Sequence, residues 1–363
     1  MSLRVLILSR YDNLGASSRL RSLQYVPKFE SMGIEVTVAP LFDNAYLTFL
    51  YQSKNWALNR LRNLKSVVNA YFRRLHNIAN IKKFDVVWVE KELFPYLPGV
   101  AESLLAKSGI PYVVDYDDAI FHNYDLNHSR LIRTLLGEKL KPLLSGAYAV
   151  TAGNAYLADY ASRNGAKNVL IIPTVVDVDR YRATPEPIER VLRIGWIGSP
   201  STSQYLSAIA EPLRRVAHAR NIIFVTIGAP PLIFPGVPFQ QHDWSLDTEA
   251  KLLESFHVGI MPLHDSPWER GKCGYKLIQY MACGRPVVAS PVGVNSEIVS
   301  LSVGLLAGDN DAWVDALIKL ADQPVLRQRL GQAARVRVEQ EYSLQVTAPK
   351  IARLLEDAAR SRN

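Results

Sequence analysis

Short apolar runs alternate with longer amphipathic stretches from the start of the chain. "LRVLILS" is followed by a helical pattern from Arg19 to Met32, the breaker Gly33, and the run "IEVTVAP". The runs "DVVWVE", "PYVVDY", "YAVTA" and "NVLIIP" follow, separated by segments of helix length. This βαβ order predicts a parallel, doubly wound sheet, whose ligands sit at the carboxyl ends of its strands. The stretch "PTVVDVDRYRATPEPIERV" has three prolines and no clear period, and reads as a linker. A second series then begins: "LRIGWIG", "IIFVTIG", "HVGIMPL" and "RPVVAS" again alternate with helical segments. Two α/β domains, 1–180 and 181–342, are expected to face a central cleft. The helical patterns around Val325 to Gln340 and Leu344 to Arg360 have no strand after them.

Composition agrees with a folded two-domain protein: 363 residues, 48% hydrophobic and 21% charged. The first apolar run is too short for a secretory leader, and no run approaches the ~20 residues of a membrane span. Cys273 and Cys283 lie ten apart on one turn and helix, where a rise of ~1.5 Å per residue holds them too far apart for a disulfide. A reducing, cytoplasmic setting is expected.

Charge changes the picture in one place. The net charge is +8, and Asn44 to Phe84 contains no Asp or Glu, while Lys54, Arg60, Arg62, Lys65, Arg73, Arg74, Lys82 and Lys83 are all basic. Leu61, Leu64, Val68, Tyr71, Leu75 and Ile78 recur at helical spacing, with Arg62, Lys65 and Arg73 on the other face. Such a helix is either an ordinary solvated face or a contact with an anionic surface. The second reading, a peripheral seat of residues 54–83 on the inner face of a membrane, is weighed slightly above the first. No nucleic-acid module accompanies it, so nucleic acid is not expected as a partner.

Three glycine-bearing turns follow strands and suit an anion. In "SRYDNLGASSRLRS", Gly15 precedes a helix start, without the Gly-x-Gly-x-x-Gly spacing of nicotinamide enzymes. In "WIGSPSTSQYL", Gly198 is followed by Ser199, Ser201, Thr202 and Ser203; capping alone accounts for one of these hydroxyls. In "RGKCGYKLIQYMACGRP", Gly271 and Gly274 free the backbone, Lys272 and Lys276 bring charge, and a helix begins near Tyr275. Packing of Tyr275, Ile278 and Met281 is the plain alternative for that last segment.

The run "GYKLIQYMACGRPVVASPVGVNSEIV", with "HVGIMPL" and "PWERGKCG" before it, resembles the C-terminal signature of GT-B glycosyltransferases of the retaining family 4 kind. The resemblance extends to "RVLILSRYDNLGASSRLRSLQYVPKFESMGIEVTVAP" and "IIPTVVDVDRY", and so covers most of the chain. It implies two Rossmann-like domains, with residues 343–363 packing back on the first. It also implies a transferase that takes a nucleoside diphosphate sugar on the second domain and a saccharide or lipid-linked acceptor on the first. Neither a metal nor a resident cofactor is implied.

Carried over by position, Gly274, Tyr275 and Lys276 fall near the donor diphosphate, Pro262 and Leu263 beside it. Glu297 matches the glutamate after the glycine turn, and Gly15 the N-terminal loop glycine facing the donor. Two departures stand out. The family's paired glutamates fall at Gly271 and Gln279, which leaves Gln279 to bond a ribose hydroxyl and Glu269 as the nearest carboxylate to the sugar. The usual Arg and Lys after the second-domain glycine are absent, which leaves Lys272 and Lys276 as the nearby cations. On the acceptor side, "VVDYDDAIFHNYD" places Asp115, Asp117, Asp118 and His122 at a strand end, with Glu90 and Glu92 on the neighbouring one. His122 would orient or deprotonate the acceptor hydroxyl, tuned by a neighbouring carboxylate, and Asp117 is a further catalytic candidate. The plain alternative is a helix cap and a surface histidine. Other readings are a sugar-nucleotide epimerase, a non-catalytic sugar-binding or assembly protein, and an oxidoreductase.

Overall fold

The computed structural model describes residues 2–52, 60–187 and 191–362. They form two compact units, Met1–Thr174 together with Thr347–Asn363, and Val175–Val346.

The first unit holds six strands, β1 (Arg4–Leu8), β2 (Glu35–Val38), β3 (Val86–Glu90), β4 (Tyr112–Tyr116), β5 (Ala149–Ala152) and β6 (Val169–Ile171). They pair in the order β2-β1-β3-β4-β5-β6, all parallel. Every residue of β3, β4 and β5 is buried, as expected of central strands covered by helices on both faces. The second unit holds β7 (Leu192–Ile197), β8 (Ile222–Ile227), β9 (Phe239–His242), β10 (Val258–Met261), β11 (Val287–Ala289) and β12 (Gly304–Leu306), also all parallel, in the order β12-β11-β10-β7-β8-β9. In each sheet the order doubles back beside the first strand, and the carboxyl ends there are the natural ligand positions.

Two local expectations are corrected. The pattern from Arg19 to Met32 is not one helix: Ala16–Arg21 and Val26–Ser31 are separated by a tight turn at Leu23–Tyr25. The Ser22 hydroxyl there bonds back to the Ser18 carbonyl at 3.0 Å, competing with the helical ladder.

The basic helix, Arg60–Ala79, is turned differently from the expected pattern. Val67, Ala70 and Tyr71 pack on Leu41, Phe42 and Tyr46, and Arg74 is buried beside them at 1% exposure, bonded to the Ser9 carbonyl. This rotation leaves Leu64, Val68 and Leu75 exposed. Arg74 is therefore not part of any cationic surface, and Arg73 is paired with Asp43. Residues 54–59 of that segment, Lys54 included, lie outside the described residues.

In the second unit the helix Tyr275–Ala282 is clamped to the sheet by Tyr280. Its hydroxyl accepts from the Ile197 amide at 2.9 Å and donates to the Ile260 carbonyl at 3.3 Å. Gly259 makes room for the ring: a Cβ there would lie 2.2 Å from it. Leu277, Ile278 and Met281 fill the core below, so the amino end of this helix is fixed above the ends of β7 and β10. Cys273 and Cys283 are both buried free thiols, and burial pushes the Cys283 thiol up to about 12. The native protein is accordingly expected to react with a thiol reagent such as DTNB at pH 8 only slowly, and with both thiols at once in denaturant. A fast native reaction would show that the packing of this helix is wrong.

Candidate active site

The glycine turn before Tyr275–Ala282 has a sharp local requirement. Gly274 sits in the left-handed region at φ +65°, and a Cβ there would come within 2.3 Å of Ile298. Only glycine meets both conditions comfortably. The turn opens on a concavity lined by Trp196, Thr202, Tyr205, Met261, Pro262, Leu263, Lys272 and Lys276. Lys276 lies at the start of the helix with its Nζ 5.7 Å from the Trp196 ring centre. Lys272 places its Nζ 5.9 Å from Tyr205 and 6.0 Å from Trp268. Two cations, a helix amino end and aromatic walls thus converge, an arrangement suited to an anion carrying an organic group.

Glu269 braces this wall. It accepts from the Tyr205 hydroxyl at 2.5 Å and from the Ser266 hydroxyl. Burial pushes its carboxyl up, yet those two hydroxyls and the charge of Lys272 together hold it below the ordinary range, so it is ionised at neutral pH. Its oxygens are committed to these partners.

The remaining predicted donor residues divide. At Gly198 a Cβ would lie 2.5 Å from Trp196 and 2.6 Å from Thr202, so this glycine packs the turn. Thr202 reaches the concavity while its hydroxyl also bonds the Ser199 amide at 3.1 Å and carbonyl at 3.0 Å, and Ser199 and Ser201 bond each other at 2.9 Å. Ser199 and Thr202 form a capping box at the start of the Pro200–Ile209 helix. Gln279 is 3% exposed and gives its amide to the Tyr181 hydroxyl at 2.9 Å, which in turn donates to Glu249 at 2.8 Å. The Gln279 side-chain nitrogen is thus engaged within this unit. Tyr275 is half-buried, 3.4 Å from the Tyr181 hydroxyl, and Glu297 is exposed on the short helix Asn295–Ile298. Trp196 and Tyr205 were missed: in the sequence Trp196 reads as an ordinary buried strand residue, and Tyr205 as a helix-packing one.

In the first unit, the carboxyl ends of β1, β3 and β4 converge on a buried charge network. Glu90 accepts from the hydroxyls of Ser17 at 2.9 Å and Ser18 at 2.6 Å and from the Arg10 amide at 2.8 Å. Its carboxyl is pushed up by burial, with Lys91 opposing. Lys91, held at φ +64°, pairs with Asp117 at 2.8 Å. Burial acts to raise the Asp117 carboxyl, but Lys91 and Arg21 bring it below the usual range. Asp115 is locked to Arg21 by two bonds of 2.9 and 2.6 Å and to Thr151 at 2.6 Å. It holds structure together. Asp118 is only partly buried, 3.8 Å from Lys91. Glu92 is paired with Arg10 and Lys139. At Gly15 a Cβ would lie 2.3 Å from Tyr11, so the close approach this glycine permits is that of its own neighbour's ring.

His122 is engaged through both edges of its ring. Its Nδ1 is 2.8 Å from Asp125 and its Nε2 2.8 Å from the Tyr156 hydroxyl, so both ring nitrogens are occupied. The carboxylate beside the ring is thus Asp125, while Asp117 bonds to Lys91 and Ser17.

Comparison with known proteins bears directly on the second unit. The family described as Glycosyl transferases group 1 matches residues 193–323, the stretch that contains the glycine turn, both lysines and most of the second sheet. The chain carries a glycosyltransferase group 1 domain on the GT-B fold. Over 89 residues the chain is 33% identical to a GDP-mannose-dependent monoacylated alpha-(1-6)-phosphatidylinositol monomannoside mannosyltransferase of Corynebacterium glutamicum. That match spans 24% of the present chain and 23% of the relative's length. Over the whole fold, HepE of Anabaena in complex with UDP superposes with a TM-score of 0.69 at 16% identity, covering 98% of this chain and all of that one. A sucrose-phosphate synthase from Thermosynechococcus elongatus gives 0.70 at 14% identity, covering 99% and 100%. Among the described residues no group of side chains is arranged to hold a metal ion.

Proposed function

We propose that the protein transfers a sugar from a nucleoside diphosphate donor to an acceptor hydroxyl, with retention of configuration. The observation that carries this reading is the concavity at the amino end of Tyr275–Ala282, where Lys272 and Lys276 converge inside the matched glycosyltransferase domain. A diphosphate seated there would meet both ammonium groups and the helix amides as the anomeric bond breaks. The bond from the anomeric carbon to the diphosphate opens while the acceptor oxygen attaches on the same face. The acceptor proton passes to the departing phosphate oxygen, so no side-chain base is required and the occupied nitrogens of His122 present no obstacle.

The donor belongs to residues 181–342 and the acceptor to residues 1–180, with Asp117 and its neighbours at the strand ends as acceptor contacts. A saccharide or lipid-linked acceptor fits, and the basic segment 54–83, apart from the buried Arg74 and the paired Arg73, is proposed to meet an anionic surface. The family match supports transfer over epimerisation or mere binding. Relatives named for UDP, for UDP-glucose and for GDP-mannose leave two bases to try first. Thermal denaturation of the full chain with UDP, GDP and ADP and their sugars tests the donor. One base should raise the melting temperature in a concentration-dependent way, as binding to the native state requires. No shift with any of them would refute the reading.

A further inference from the structure

We infer that the first unit docks on an anionic lipid surface along an apolar strip shared by three helices and the loops at the ends of β3 and β4. This deepens the surface association proposed above and is independent of the transfer chemistry.

On the helix Arg60–Ala79, Leu64, Val68, Phe72 and Leu75 follow one another at spacings of three and four, at 59%, 42%, 67% and 50% exposure. Tyr71 lies beside Val68 and Leu75 on the same helix, and its hydroxyl donates to the Pro95 carbonyl at 2.6 Å. The strip therefore runs on into Tyr96 and Leu97, which are 55% and 44% exposed. From there the Tyr96 ring stands edge-on to Tyr124 at 5.5 Å, and its amide donates to the Tyr124 hydroxyl at 3.2 Å. Two residues on is Leu126, again 55% exposed. The helices Val100–Ala106 and Arg130–Leu136 that leave these loops each present an i, i+4 pair. Val100 and Leu104 are 65% and 63% exposed, Leu131 and Leu135 67% and 63%. Lone exposed leucines are ordinary, but a linked series of this length marks an interaction surface.

Charge selects the occupant. Lys65, Lys107, Arg130 and Arg133 are exposed on or directly after the same elements and Lys141 starts the next helix, whereas among the described residues from 64 to 147 Glu138 is exposed and the side chains of Asp85, Asp118 and Asp125 are 31%, 32% and 32% exposed. A second copy would bring cations against cations, which opposes self-association. A nucleic acid would pair with the cations and leave the leucines in water. An anionic bilayer satisfies both, with apolar side chains in the interfacial layer and ammonium and guanidinium groups at the headgroups. None of the described helices is long and apolar enough to cross a membrane. The loops 94–97 and 120–126 follow β3 and β4, so docking would bring headgroup-level hydroxyls toward the end of the sheet that holds Glu90 and Asp117.

Flotation of the full chain with phosphatidylcholine vesicles, with and without 30% phosphatidylglycerol, tests this. Anionic vesicles should carry the protein and neutral ones should not, with binding weakened by salt. F72S combined with L75S, and separately L131S combined with L135S, should each lower the partition coefficient at least tenfold. I233S combined with L301S, which alters side chains 88% and 86% exposed in the second unit, should leave it unchanged. Thermal stabilisation by nucleoside diphosphate should be the same in all variants, so a failed donor reading is told apart from a failed docking one. The inference is overturned if anionic vesicles do not bind the protein, if the strip variants bind as the wild type does, or if the strip proves to hold a homodimer that the same variants dissociate.

Discussion

Replacing Lys276 by alanine is expected to lower kcat/KM for sugar transfer by about 100-fold or more, the usual scale for removing one charge-stabilising donor from a reacting group. Lys276 is the cation nearest the start of Tyr275–Ala282, and it lines the concavity from the helix side while Lys272 lines it from the preceding turn. The partially neutralised diphosphate gains most negative charge as the anomeric bond breaks. The loss should therefore appear in kcat as well as in KM. The side chain is only half-buried and packs on Trp196, so the variant should fold, with a melting temperature close to that of the wild type. Steady-state kinetics with the stabilising donor measures the effect. Wild-type kinetics in the variant would remove Lys276 from the site.

Replacing Asp115 by alanine is expected to cost about 3–5 kcal/mol of stability, because it leaves the Arg21 guanidinium buried without its counter-charge. Both side chains are only 2% exposed. Arg21 also donates to the Ile172 carbonyl at 2.9 Å, so the pair joins the helix Ala16–Arg21 to β4 and to the end of β6. Since whole domains are stable by only about 5–15 kcal/mol, the loss is a large fraction of the total. Replacing both partners together, Arg21→Met with Asp115→Leu, removes the stranded charge and should recover much of it. Urea denaturation of the single and double variants checks this. A single variant that loses less than about 1 kcal/mol would show the pair to be solvated.

The sheets were legible where burial dominated and obscure where it did not. The ten strands anticipated from apolar runs include every central strand, since central parallel strands are buried on both faces. The two strands not anticipated, β9 and β12, are the two edges of the second sheet. β9 reads "FQQH", whose polar residues suit an edge, and β12 is three residues long. The orientation of the basic helix was not legible either. Its inward face carries Arg74, which is tied to the Ser9 carbonyl, a group 65 residues away.

The candidate site shows the same division. The glycine turn could be read because a left-handed Gly274 before a helix leaves a local signature. Roles that depend on distant partners could not. His122 is occupied by Tyr156, 34 residues on, and Gln279 by Tyr181, 98 residues back. Periodicity carries no record of such pairings. Trp196 was hidden for another reason: a strand residue 1% exposed looks like core, although its ring forms part of the pocket wall.

Calorimetric titration of the wild-type chain and of the Lys276→Ala variant with UDP and with GDP tests the central claim most directly. The account predicts saturable, one-to-one binding of one of the two nucleotides to the wild type, weakened at least tenfold in the variant. Absence of binding to the wild type, or equal binding by both proteins, would contradict it.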